Sequence, residues 1–142
     1  MSKIKIPFTG GCVCGAIRYE CTAEPIMMFK CHCRDCQRLT GGPYTPVVYM
    51  PAKAVKITKG EPHYYSTPSA ALGDNKRAFC PDCGSRLFGG ITEDGHGIAA
   101  SSLDDPSLFK PQMHIFTSDA QPWDHIDPKL PTFEKYQESN QT

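Results

Sequence analysis

The sequence has no apolar run approaching the length of a membrane span, which removes a transmembrane helix from the expected architecture. It has no excess of charge either. Lysines plus arginines number 15, as do aspartates plus glutamates, so the formal net charge is zero and nothing favours a nucleic acid or an anionic membrane as partner. No repeat period and no low-complexity segment occur, and the opening stretch from Met1 to Phe8 lacks the apolar core of a secretion signal before Pro7. Uninterrupted windows are scarce as well. Thirteen prolines and twelve glycines break the chain so often that few segments could hold a helix of three turns. These absences predict one mainly β domain spanning 1–142, with a core of about 8–133, a polar tail that frays after Phe133, and a cytoplasmic location.

Cysteine is abundant by contrast. Without a signal, eight thiols favour metal binding or redox chemistry over a disulfide scaffold. Seven of them fall into three clusters: Cys12 and Cys14; Cys31, Cys33 and Cys36; Cys80 and Cys83. Sulfurs one or two residues apart can be aimed at one ion but reach disulfide geometry with difficulty. Four thiolates close a tetrahedral zinc site and three leave a position open, so seven ligands suggest a four-plus-three partition.

Strand alternation places Cys12 and Cys14 on one face. Cys80-Pro81-Asp82-Cys83-Gly84 reads as a knuckle in which proline presets one dihedral and Gly84 permits positive φ. Cys31, Cys33 and Cys36 are expected at a strand end and the following turn, where the polar stretch to Thr40 can make one or two helical turns before Gly41 and Gly42. His32 lies between two ligands and should point away from them; Asp35, His63, His96 and His114 are the remaining candidates for a fourth ligand or a proton-transfer group. Cys21 belongs to no cluster and should share a core face with Ile17 and Tyr19. Cys33-Arg34-Asp35-Cys36 also has the spacing of a redox motif, but the βαβ context of thioredoxin-type motifs is not evident.

Short strands are expected over 16–21, 44–50, 55–59, 63–66, 76–80, 86–91, 98–101 and 113–116, with a turn at 104–109. Seven basic side chains could in principle meet the carboxylates of an anionic ligand: Arg18, Lys30, Arg34, Arg38, Lys76, Arg77 and Arg86.

Three ordered segments carry a resemblance: Gly10-Gly11-Cys12-Val13-Cys14-Gly15, Cys31-His32-Cys33-Arg34-Asp35-Cys36 and Phe79-Cys80-Pro81-Asp82-Cys83-Gly84-Ser85. With His114-Ile115-Phe116 and the ending from Gln121-Pro122-Trp123-Asp124 to Phe133, the chain resembles the glutathione-dependent formaldehyde-activating enzymes, a family that includes centromere protein V homologues. The resemblance implies an Mss4-like fold of short antiparallel β-sheets organised around a four-cysteine zinc site. It implies structural zinc on Cys12, Cys14, Cys80 and Cys83, and catalytic zinc on Cys31, Cys33 and Cys36; having fewer protein ligands, the three-cysteine site is expected to be the less fully occupied. The implied activity is that of an S-(hydroxymethyl)glutathione synthase, a carbon–sulfur lyase whose partner is a small thiol such as glutathione. The alternatives are a non-catalytic, zinc-stabilised binding or scaffold module, and a thiol redox or metal-handling protein using Cys33 and Cys36.

Overall fold

The computed structural model describes residues 4–69 and 73–136, and within them no strand exceeds seven residues, as the spacing of proline and glycine dictates. The strands are β1 (Phe8–Gly11), β2 (Arg18–Cys21), β3 (Met27–Cys31), β4 (Thr45–Pro51), β5 (Val55–Lys59), β6 (His63–Ser69), β7 (Gly73–Phe79), β8 (Arg86–Ile91), β9 (Gly95–Ala99) and β10 (Met113–Ile115). One helix, α1 (Arg34–Thr40), lies between β3 and β4. A three-stranded sheet runs β1-β2-β5, and a seven-stranded sheet runs β10-β3-β4-β9-β8-β7-β6. The ladders are antiparallel except that β10 joins β3 in parallel, pairing Ile115 with Cys31.

Period-two alternation gives the large sheet two functions. On β4, Val48 and Met50 are buried in the main core, whereas Thr45, Val47 and Tyr49 face a cavity on the other side. The same parity sends Met27, Phe29 and Cys31 of β3 and Met113 and Ile115 of β10 toward the cavity. The main core lies where the two sheets meet: Ile17, Tyr19 and Cys21 on one side, Leu87, Phe88 and Ile98 on the other. Tyr19 packs edge-on against Phe88 with ring centroids 5.3 Å apart, and its hydroxyl lies 2.6 Å from Ser102 Oγ, so its polar tip is satisfied. Cys21 is fully buried beside Ile17 and Tyr19, as strand parity predicts.

The strands expected at 55–59 and 86–91 occur with those bounds, and most others shift by a few residues. β3 ends at Cys31, where a strand end is expected, β1 stops at Gly11, just short of the cysteine pair expected on a strand, and β9 starts earlier than the expected strand at 98–101. The expected turn at 104–109 contains a short 3-10 turn, Pro106–Leu108, capped by Asp105. The chain beyond Phe133 does not simply fray. Phe116 N–H donates to Lys135 O at 3.0 Å, and Tyr136 stacks edge-on against Phe116 with centroids 4.8 Å apart. The rest of the expected tail, 137–142, lies outside the described residues.

Candidate metal centres and their cavity

Four sulfurs converge at one edge of the fold. Cys12 and Cys14 come from the turn after β1, and Cys80 and Cys83 from the knuckle between β7 and β8; all four ligand atoms lie within 4.8 Å of one another. The first pair meets through a turn, which corrects the expectation of strand alternation: Gly15, at φ 80°, returns its N–H to Cys12 O at 3.2 Å and folds Cys14 back toward Cys12. Their sulfurs are 3.6 Å apart, and Cys14 lies 3.8 Å from Cys80. Tetrahedral zinc with bonds of about 2.3 Å needs sulfurs roughly 3.8 Å apart, so this set fits the ion.

The knuckle forms as expected. Gly84 sits at φ 78° and donates to Cys80 O at 2.8 Å, while Cys80 N–H donates to Ser85 O at 2.9 Å. The Ser85 hydroxyl and its backbone N–H lower the Cys83 thiol to about 5, and Ile17 N–H donates to Cys12 Sγ at 3.2 Å. Both contacts favour the thiolate form that a metal requires.

The second cluster is Cys31, Cys33 and Cys36, again with sulfurs within 4.8 Å of one another. Cys31 ends β3, Cys33 is the N-cap of α1, and Cys36 lies in its first turn, so strand end and helix start deliver the three sulfurs. The Cys33 sulfur accepts from Cys36 N–H at 3.3 Å, a capping contact made by a prospective metal ligand. Thiol contacts from Cys31 and Cys33, together with the Arg86 charge, push the Cys36 thiol strongly down. Cys36 is the thiolate of the set, while its neighbouring sulfurs and burial hold Cys31 up; three convergent sulfurs suit a zinc ion with one further position.

Among the described residues no histidine, aspartate or glutamate joins this set. His32 points away, as alternation predicts, with Nδ1 3.1 Å from Asp124 Oδ2 and Nε2 2.9 Å from His114 Nδ1. Asp35 lies 3.5 Å from Arg77, His63 stacks on Phe79, and His96 stacks on Phe88. None of the four candidates for a fourth ligand therefore reaches the sulfurs. β3 and β4 are antiparallel, so Cys33 and Cys36 do not sit in the βαβ setting of a thioredoxin-type motif.

A buried polar network holds the loop, and its central residue, Gln37, was not singled out from the sequence. Gln37 Nε2 donates to His32 O at 2.7 Å and to Asp119 O at 2.9 Å, while its Oε1 accepts from Arg34 and from Gln121 Nε2 at 3.1 Å. The contacts to Asp119 and Gln121 tie α1 to the segment after β10, and those with His32 and Arg34 fix the turn that carries the cysteines. No spacing rule identifies such a residue, because two of its four partners, Asp119 and Gln121, lie more than eighty positions away.

Cys31 and Cys36 line a cavity of about 400 Å³ whose other walls include Phe29, Val47, Ile98, Ile115 and Tyr136. Of the seven basic candidates, only Arg77 and Arg86 line it. Arg18 pairs with Asp104, Lys30 lies over the Tyr44 ring, Lys76 over the Tyr64 ring, and Arg34 serves Gln37.

A mainly β fold carrying two cysteine clusters that could hold zinc, the second beside a cavity, defines the class: a small β protein of Mss4-like fold with two candidate metal sites. Residues 7–119 match the family model of the glutathione-dependent formaldehyde-activating enzyme, and the chain belongs to that family. Its structure is similar to a crystal structure of a Rhodobacter sphaeroides protein, with a TM-score of 0.56 and 15% identity over 88% of this chain and 98% of the other. At that identity the likeness shows the fold. No helix among the described residues is long and apolar enough to cross a membrane.

Proposed function

We propose that the protein is a cytoplasmic zinc enzyme of carbon–sulfur chemistry, resembling an S-(hydroxymethyl)glutathione synthase, that acts on the adduct of an aldehyde with glutathione or another small thiol. In this reading the chain is a single domain, Cys12, Cys14, Cys80 and Cys83 hold structural zinc, and Cys31, Cys33 and Cys36 hold the catalytic ion. The observation that carries it is the placement of Cys31 and Cys36 in the wall of the cavity. A scaffold module needs no cavity beside its second cluster, so the cavity supports the enzyme reading over the binding-module alternative.

In synthesis the sulfur–carbon bond forms as the aldehyde C=O opens, the thiol proton is lost, and the former carbonyl oxygen gains a proton; cleavage reverses these changes. Zinc bound to three thiolates supplies a Lewis-acid position that stabilises an incoming thiolate or polarises the aldehyde oxygen. The chain's own residues prepare that position. Thr45 and Arg86 flank Cys36, and Phe29, Val47 and Ile115 give the cavity beside it an apolar wall.

Cobalt substitution tests the reading, because cobalt bound to thiolates is coloured. Glutathione should change the visible spectrum of the fully loaded protein, and Cys36→Ser should abolish the change. An unchanged spectrum, together with no acceleration of formaldehyde–glutathione exchange, would replace the enzyme reading with the binding module.

A further inference from the structure

The cavity beside Cys31 and Cys36 runs along the strands, and the ladder register gives its depth. Cys31, Phe29 and Met27 of β3 all line it, and antiparallel pairing sets Thr45, Val47 and Tyr49 of β4 beside them in turn. Levels two residues apart along a strand are separated by about 7 Å, so the wall from Cys31 to Met27 is about 13 Å long. Met113 of β10 pairs with Phe29 and widens the same wall. At the far level Tyr49 pairs with Gly97 and Gly97 with Gly89, so β8 and β9 bring no side chain into the space there. A Cβ on Gly97 would lie 2.5 Å from Gly89 O, which keeps that floor bare.

Met27, Phe29, Val47, Tyr49 and Met113 are large and apolar, yet each is only half-buried. The polar groups opposite them are engaged. Arg77 and Arg86 meet over Gly89, where Arg77 pairs with Asp35 and donates from Nε to Thr67 Oγ1 at 3.0 Å, while Arg86 donates to Thr45 Oγ1 and lies against Cys36. The Arg77 stem also covers this floor, with Cγ 3.9 Å from the place of a Cβ on Gly89. A carbon derived from formaldehyde needs about the room of one water, about 30 Å³, in a cavity of about 400 Å³. The charged ends of a peptide thiol would lose hydration against the apolar wall without gaining partners. What suits that wall is the group borne by the carbonyl carbon.

We propose that the wall built by β3, β4 and β10 is a subsite for an apolar chain of about six to ten carbons on the carbonyl carbon, so that the protein takes the thiol adduct of a medium-chain aldehyde in preference to that of formaldehyde. The proposal rests on reading the three-cysteine cluster as the place where the thiol sulfur binds. With sulfur held at the level of Cys31, the chain passes Phe29 and Val47 and ends between Met27, Tyr49 and the paired glycines. Val47 and Met27 therefore measure its length.

The test titrates S-alkylglutathiones, methyl to dodecyl, calorimetrically into the zinc-loaded protein, the alkyl group standing for the chain that the carbonyl carbon brings. Affinity should rise about threefold per methylene to about eight carbons and level off beyond them, where the wall ends. Met27→Trp fills the far level and Val47→Phe the middle one. The ratio of octyl to methyl affinity should fall about tenfold in the first and further in the second, following the register. If neither variant folds, the levelling-off in wild type decides, since a chain lying on open surface keeps gaining affinity with length.

Equal affinity across the series, no binding by any member, a rise that never levels off, or a ratio that the folded variants leave unchanged overturns the subsite. Faster exchange of glutathione with formaldehyde than with octanal overturns the preference. If glutathione perturbs the cobalt spectrum while the series is flat, the subsite falls and the thiol reading stands. If affinity follows chain length and register but glutathione leaves the spectrum unchanged, the apolar subsite stands and the thiol reading falls.

Discussion

At the scale of single residues, burial turns ordinary side chains into conditions on stability. His96 of β9 packs edge-on against Phe88, and burial pushes its pKa down from 6.5 to about 4. Its neutral form is therefore the folded form. Above pH 6.5 that preference has no cost; as pH falls from 6.5 toward 4, the unfolded chain takes up a proton that the folded chain resists, and stability is lost. By pH 5 the loss from this residue is about 2 kcal/mol at most. In His96→Phe the difference in urea stability between pH 7 and pH 5 should shrink by that amount, while acid loss of metal affects both proteins alike. An identical pH dependence in the two proteins would show that His96 takes up its proton in the fold. The metal-ligand candidates were legible in the sequence because cysteine clustering is a local signal. The cavity arginines were not separable from five other basic residues, since only the cross-strand approach over Gly89 distinguishes them.

At the scale of elements, local pattern and long-range packing divide the credit. Val55–Lys59 and Arg86–Ile91 are bounded by turn residues and were readable as strands. β1 reads Phe-Thr-Gly-Gly and looks like a turn; Gly10 is required because a Cβ there would lie 2.3 Å from Tyr19 Oη. β9 begins Gly-His-Gly for a similar reason: a Cβ on Gly95 would meet Tyr49 Oη at 1.7 Å, a contact with another strand that no local rule contains. α1 was legible as a short helix because its stop is local. Gly41 sits at φ 72° and its N–H caps Gln37 O at 2.9 Å, with nothing within 4 Å of a built Cβ. Gly41→Ala should therefore cost only the left-handed backbone penalty, about 1 kcal/mol in a urea melt. Since α1 carries Cys33 and Cys36, the same substitution should speed metal loss from the three-cysteine cluster while leaving release from the four-cysteine cluster unchanged. Unchanged stability and unchanged release would show that another cap replaces Gly41.

At the scale of the whole molecule, the two clusters differ in what they join. The four-cysteine set connects the turn between β1 and β2 to the knuckle between β7 and β8, and so pins the three-stranded sheet to the seven-stranded one across 66 residues from Cys14 to Cys80. The three-cysteine set spans only the end of β3 and the start of α1, a segment that ladder pairing, the capping contact and Gln37 already hold. Metal binding to dispersed ligands is coupled to folding, because the unfolded chain has no assembled site. Cys83→Ser should therefore lower the melting temperature by roughly 10 °C or more, equivalent to about 3 kcal/mol, or prevent soluble expression. Cys36→Ser should spare the melt while removing the thiol-dependent change in a cobalt spectrum. Graded chelation of wild type should release metal in two phases, the first without loss of circular dichroism and the second together with unfolding; Cys36→Ser should delete only the first. A single release phase, with equal loss of folding in both variants, would make the second cluster structural as well and would leave the cavity beside it to binding alone.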